Sequence, residues 1–284
     1  MIPAAFDYTR ASTVDEAVAA LAGAGEDAKV LAGGQSLIPL LRLRLAAPTT
    51  LVDLGGIADL RGVREEGDTL VIGATTTHAA VIGDPLVGRY APLLAQATAT
   101  VADRQVRHRG TIGGSLAHAD PAGDLPAVSV ALDAVLEVAG PAGARRQVPA
   151  GEFFVDYLTT VLGPGEVLVA VRVPKRDNWS AHYEKFNRTA QAWATVGVAA
   201  SVRRDNGSIA EARVALTNMA STPVRAVAVE QALAGVPATA DAVAAAAEHA
   251  AEGTHPTSDL SASAEYRTHL ARVLTRRAVL AALR

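Results

Sequence analysis

Two paired-glycine motifs, set far apart in the chain, constrain this sequence more than any other feature. They are Ala32-Gly33-Gly34-Gln35-Ser36 and Thr111-Ile112-Gly113-Gly114-Ser115. Consecutive glycines let a backbone curl so that successive N–H groups point into one concavity, and such a nest binds anions, phosphate above all. Ser36, Thr111 and Ser115 can add hydroxyl donors. Two nests suit a ligand with two phosphates, so a dinucleotide is the natural candidate. The same glycines would equally serve two tight turns, and the motifs alone leave both readings open.

Length, charge and cysteine usage narrow the classes. A chain of 284 residues exceeds a typical single domain and predicts two. With 26 basic and 29 acidic residues the net charge is -3, which lacks the electrostatic footprint of a nucleic-acid binder. There is no cysteine. That excludes disulfides, cysteine-ligated zinc, a cysteinyl flavin and any iron–sulfur cluster held by thiolates of this chain. The opening MIPAAFDYTRAS has no basic region followed by an apolar stretch and does not read as a secretory signal. No run reaches the roughly 18 apolar residues of a membrane span; the alanine-rich stretch 240–251 is broken by Asp241, Glu248 and His249. A soluble cytoplasmic protein is expected.

The periodicities predict an α+β chain. Thr13 and Glu16 have capping-box spacing before a helix through Val14, Ala17, Val18 and Leu21 that stops at Gly23 and Gly25. Strands are expected at 29–31 and 50–54, and a hairpin at 62–65 and 69–74. Asp84 should cap a helix with Pro85 at its first position, running through the Leu93 and Ala97 region. A glycine-rich loop is expected over 109–124, then a short helix after Leu125 and strands at 134–139 and 166–173. The composition changes at PKRDNWS, residues 174–180, which puts a domain boundary at 176/177: domains 1–176 and 177–284. Beyond it lie three strand-like runs, 181–186, 194–203 and 209–217, the last two joined by the turn signal Asp205-Asn206-Gly207. From Pro223 onward the pattern is helical.

Other chemistries find little support. There is no phosphate-loop motif. Gly23-x-Gly25-x-x-Ala28 has the letters of a dinucleotide fingerprint but follows a helix and precedes a strand, the reverse of the required order. In the run His118 to Asp124, Asp120 and Asp124 can accept from ribose hydroxyls, while Asp124 can also cap a helix starting at Leu125-Pro126. No histidine shows metal-ligand spacing. Arg104, Arg107, His108 and Arg109 either neutralise phosphate or form a solvated loop. Tyr183, Lys185 and Trp193 lie near the first strands of the second domain, where Trp193 either stacks on a ring system or packs in a core. No serine–histidine–aspartate or paired-carboxylate arrangement speaks for hydrolysis.

Several segments resemble a known family over essentially the whole chain. They are VLAGGQSLIPLLRLRLAAPTTLVDL, VIGATTTHAAV, GTIGGSLAHADPAGDLPAV, EVLVAVRVP, YEKFNRTAQAWATVGVAA and SASAEYRTHLARVLTRRA. They look like the FAD-binding medium subunits of molybdenum hydroxylases, the xanthine dehydrogenase family, with the strongest likeness to the aerobic carbon monoxide dehydrogenase type. The resemblance implies an FAD-binding domain of the vanillyl-alcohol oxidase (PCMH) type in two subdomains, plus a C-terminal domain with a three-stranded antiparallel sheet and helices. It implies non-covalent FAD, with Ala32, Gly33, Gly34, Gln35, Ser36 and Leu37 and Thr111, Ile112, Gly113, Gly114 and Ser115 around the pyrophosphate. Asp124 would take sugar or ribityl hydroxyls, Leu168 and Lys185 would line the flavin or adenine, and Trp193 would flank the isoalloxazine ring. Ser115 stands where the family more often has asparagine and keeps a hydrogen-bonding group.

The resemblance also assigns a division of labour. Substrate oxidation would occur at a molybdenum cofactor on a large subunit, and electrons would cross [2Fe-2S] clusters on a small subunit. FAD would pass them to oxygen, NAD or a quinone, although no NAD fingerprint is legible here. The assembly would be a dimer of heterotrimers, cytoplasmic, with peripheral membrane association through the complex as a further implication. Its substrate would be carbon monoxide first, with a purine, aldehyde or N-heterocycle as alternatives. A standalone flavoenzyme, or a binding module without FAD, are the competing classes.

Overall fold

The structure is a computed structural model that describes residues 2–284. Its first layer is a small parallel sheet. Strands Asp7–Arg10 and Ala28–Leu31 flank the central strand Thr50–Asp53. The helix Val14–Ala24 links the two outer strands, and it buries Ala17, Val18 and Leu21 in a core shared with Val52 of the central strand and with Leu54, Ile57 and Leu60. Thr13 caps it by accepting from the Glu16 N–H, but the Glu16 carboxylate reaches back to the N–H and hydroxyl of Ser12, one residue before the cap. Gly25 ends the helix with φ +80, which explains the glycine there without any nucleotide. The helix Leu37–Leu43 then leads into the central strand.

The second layer is a five-stranded antiparallel sheet with the long strand Val167–Pro174 at its centre. The hairpin Val63–Glu66 and Thr69–Gly73 pairs on one side, and Val135–Ala139 with Arg145–Pro149 on the other. Asp84 caps the helix Pro85–Tyr90 as expected, with Pro85 in its first turn. That helix does not run on, because the chain breaks at Ala91 and restarts at Pro92 as Pro92–Ala99. A proline lacks the N–H that would continue the ladder.

The C-terminal sheet corrects the three-stranded expectation. Trp179–Phe186, Val196–Asp205 and Ser208–Thr217 form the antiparallel meander, and a fourth two-residue strand, Val224–Arg225, adds to its edge. The turn at Asn206 and Gly207 has both φ values positive, at 47° and 83°, as a tight primed hairpin turn demands. One face of this sheet buries the helices Val227–Leu233, Ala240–Ala247 and Ala264–Ala282 in their own core. The other face joins the main core through Tyr183, Ala199 and Ala215.

Between the five-stranded sheet and this face lies the helix Asp124–Ala131, whose residues are all buried. A helix that is apolar all round belongs in a core. Its burial fixes where its first residue, Asp124, can sit. Among the described residues no helix is long and apolar enough to cross a membrane.

Candidate cofactor site

Folding brings the two glycine motifs together. The first follows the parallel strand Ala28–Leu31 and leads into the helix Leu37–Leu43, at the carboxyl end of a strand, where open sheets bind ligands. Gly33 packs on the backbone of the second motif's lead-in: a Cβ there would overlap the Arg109 carbonyl oxygen and lie 2.8 Å from Gly110 Cα. Gly34 takes φ +72, a conformation that side chains resist. Among the described residues the N–H groups of Gly33, Gly34, Gln35 and Ser36 donate to no protein acceptor, and the Gln35 amide turns back to the Gly33 carbonyl at 3.0 Å. Four free donors in one curl are the arrangement of an anion nest.

The second motif is not a loop. Thr111 caps the helix Ile112–His118, accepting from the Gly114 N–H at 3.1 Å. The Ile112 N–H donates to Thr76 at 3.0 Å and the Gly113 N–H to Ala74 at 2.8 Å. Gly113 is glycine because a Cβ would collide with Ala74. The expected nest of N–H groups is therefore largely committed inside the protein. Gly114 is exposed and Ser115 half-buried, so the outer side of this helix start faces away from the core.

The two motifs wall one open cleft of about 330 Å³. Ala32 lines it from the first and Thr111 from the second, with Thr75, Thr76 and Thr77 between them. Arg61 and Arg109 bring positive charge to its wall. Arg61 is held by the Gly55 carbonyl. Arg61 escaped the sequence reading, and the threonine run entered it only within the family-like segment VIGATTTHAAV, with no role given to it. A threonine triplet directly after a predicted strand was the available signal. Of the basic run, Arg107 is structural, donating to the carbonyls of Val101 (2.6 Å) and Ala102 (3.1 Å).

A second group of predicted residues forms a buried cluster. Asp124 and Lys185 pair at 2.8 Å with side chains only 3% and 6% exposed. The Tyr183 hydroxyl donates to the other carboxylate oxygen at 2.6 Å, and Lys185 also reaches the Thr100 carbonyl at 3.2 Å. Asp124 is thus no cap; the helix is entered from Gly123. Burial pushes the Asp124 carboxyl up, against the pull of Lys185 and Tyr183. Burial and then the Asp124 charge push the Tyr183 phenol well above its ordinary value. Gly197 leaves the space for that hydroxyl, which a Cβ would occupy.

The remaining predicted residues scatter. Asp120 spends a carboxylate oxygen on the Ala122 N–H at 2.9 Å. Leu168 packs in the main core and does not line the cleft. Trp193 is 56% exposed, so core packing is not its role. Its segment is tied to the loop before Asp124 by Asn218, whose N–H donates to Pro121 (2.8 Å) and whose amide donates to Ala194 (2.8 Å).

Comparison with known proteins gives the chain its family. Residues 4–176 match the FAD binding domain in molybdopterin dehydrogenase, and residues 181–282 the CO dehydrogenase flavoprotein C-terminal domain. The chain belongs to the molybdopterin dehydrogenase flavoprotein family. The carbon monoxide dehydrogenase medium chain of Hydrogenophaga pseudoflava is 45% identical, over 99% of this chain and 98% of its own. The 6-hydroxypseudooxynicotine dehydrogenase complex subunit alpha of Paenarthrobacter nicotinovorans is 38% identical, over 100% of this chain and 96% of its own. A solved structure of carbon monoxide dehydrogenase from Hydrogenophaga pseudoflava, lacking the Mo-pyranopterin moiety, superposes with a TM-score of 0.96 at 46% identity. That match covers 100% of this chain and 99% of the other. As a flavoprotein of this family, the chain is an oxidoreductase subunit with an FAD-binding domain and a C-terminal domain built on an antiparallel sheet.

Proposed function

We propose that this chain is the flavin subunit of a heterotrimeric molybdenum hydroxylase, with carbon monoxide as the first candidate substrate of the assembly. The observation that carries the cofactor's placement is the meeting of two remote glycine motifs on one cleft with two arginines on its wall, next in the chain to the free N–H donors of residues 33–36. The free N–H groups of residues 33–36, with Arg61 and Arg109, suit a pyrophosphate. Gly114 and Ser115 approach it from the opposite side. Asp124 and Lys185 offer an acceptor and a donor for hydroxyls of the ribityl or ribose, and Tyr183 keeps the carboxylate oriented. Trp193 flanks the flavin ring. Leu168 supports the flavin site from the core, and Asp120 shapes the turn that delivers Asp124.

FAD, when bound, supplies the electron transfer. The chain's residues bind it, orient it and set the polarity around it. A small iron–sulfur subunit and a large molybdopterin subunit complete the assembly, as a dimer of heterotrimers in the cytoplasm. Oxygen, a quinone or NAD takes the electrons. The domains in this reading are 1–176 and 177–284.

The test is an absorption spectrum of the purified native complex, with metal analysis and a denaturing gel. Flavin and iron–sulfur bands, molybdenum and two companion chains are expected. A yellow chain that turns over substrate alone would favour a standalone flavoenzyme. A complex that carries no FAD and takes none up overturns the cleft assignment.

A further inference from the structure

Arg267 is the bulkiest of the fully buried side chains, with only 1% of its surface exposed. It lies in the Glu265-Tyr266-Arg267 segment that opens the last helix, Ala264–Ala282. One arm of its guanidinium meets Asp259 at 2.6 Å, but that carboxylate is half exposed. Its Nε has no partner among the described residues. Burying a guanidinium so incompletely satisfied costs stability, and an apolar side chain of similar volume would pack the site at least as well. What the charge does gain is a hold on one backbone group: the other arm donates to the carbonyl of Thr195.

Thr195 is two residues past Trp193, and its segment is fixed from three directions. Arg267 holds the Thr195 carbonyl from the helical side. The Thr195 N–H donates to Phe186 at 2.8 Å, next to Lys185. Asn218, at φ +62, donates its amide to the carbonyls of Ala194 (2.8 Å) and Thr195 (3.3 Å). Residues 194 and 195 are buried while Trp193 is exposed. The indole therefore projects from the last fixed point of an otherwise irregular stretch. Phe186 and Tyr266 meet edge to face at 6.2 Å across the same junction.

We propose that Arg267 is a positioning residue for Trp193: it anchors the Thr195 carbonyl so that the indole is presented at a set place beside the cofactor. This rests on the reading that Trp193 flanks the flavin. The last helix, remote in sequence from both glycine motifs, thereby becomes part of the cofactor site.

The test uses the assembled enzyme and a double-mutant cycle. FAD dissociation constants and the visible circular dichroism of the bound flavin are measured for wild type, Arg267→Met, Trp193→Ala and the double variant. Asn218→Gly, which keeps the positive φ and removes the amide, tests the same segment without touching the buried charge. Arg267→Met and Asn218→Gly should each weaken FAD roughly two- to tenfold, the scale of an aromatic stacking contact. Both should alter the flavin dichroism, and neither should weaken FAD further in the Trp193→Ala background.

A merely structural arginine would lower the melting temperature and leave FAD affinity and dichroism at wild-type values. That result, or an effect just as large without Trp193, overturns the proposal. If Arg267→Met does not fold, Asn218→Gly decides by the same criteria. A wild-type assembly without FAD would instead sink the cofactor reading, and an FAD-loaded enzyme indifferent to Trp193→Ala would overturn the role of Trp193 and this inference with it.

Discussion

His78 is a base buried without a proton partner. It is 4% exposed, its Nδ1 has no hydrogen-bond partner among the described residues, and its ring packs within 2.8 Å of where a Gly110 Cβ would sit. Burial, and then the nearby Arg107 charge, lower its pKa to about 4. The folded state thus keeps His78 neutral, whereas an unfolded chain titrates it near about 6.5. Below that value the unfolded state binds more protons, so stability falls with pH through the window between 6.5 and about 4 and levels off beneath it. A shift of this size corresponds to about 3 kcal/mol. Denaturant midpoints taken from pH 7 to 4 should fall steeply in wild type. They should fall much less in His78→Gln, which has nothing to titrate there. Equal slopes in the two proteins would contradict a buried neutral histidine. Nothing in the sequence around Thr77-His78-Ala79 signals this burial, because the ring is enclosed by Gly110, which is remote in the chain.

The glycines are where local pattern and tertiary structure part company. Gly23 lies inside the helix Val14–Ala24 with open space around it, while Gly33 touches the backbone of Arg109. Gly23→Ala should stabilise the protein by roughly 0.5–1 kcal/mol through helix propensity. Gly33→Ala should prise the first motif from the second and lower FAD retention. Thermal melts and FAD content of the two variants read this directly, and a Gly33→Ala protein with full FAD content would refute the close-approach explanation. Elements set by local chemistry were legible: the Asp205-Asn206-Gly207 hairpin, the Asp84-Pro85 helix start, the Thr13 cap. Ile112–His118 was not, because two glycines argue against a helix; its first turn is held instead by the carbonyls of Ala74 and Thr76. The strands Asp7–Arg10 and Arg145–Pro149 were missed because they lie at sheet edges, where little is buried and no alternation is written. Asp124 and Lys185 were singled out by family likeness, and folding brings them together as a buried pair. Spacing alone suggested a cap, since the partners Tyr183 and Lys185 lie some sixty residues away.

How the two halves of the molecule hold together was written nowhere in the sequence as a motif. Asp133 stands at φ +48 just after the buried helix Asp124–Ala131, and its carboxylate gathers three arginines. Arg176 comes from the junction, and Arg213 (3.2 Å) and Arg225 come from the C-terminal sheet. Arg176 and Arg213 also lie 4.9 and 5.6 Å from the Trp179 ring, and Arg225 is shared with Glu230 at 2.9 Å. Burial pushes the Asp133 carboxyl up, but the arginines, Arg176 foremost, hold it below its ordinary value. A carboxylate lowered on folding contributes stability above about pH 4 that is lost as acid protonates it. Asp133→Ala removes the shared anion and leaves three cations facing one another across the junction. For a half-exposed site the cost should be about 1–3 kcal/mol. The loss should appear first at the contact between the halves, because Asp133 and its three arginines meet there. Limited proteolysis across residues 174–180 should therefore speed up in Asp133→Ala more than cleavage elsewhere, and the difference from wild type should narrow at high salt, where the exposed part of the network is screened. Uniformly faster cleavage along the chain would mean that Asp133 stabilises the N-terminal half itself and that the arginine cluster is not what docks the C-terminal sheet.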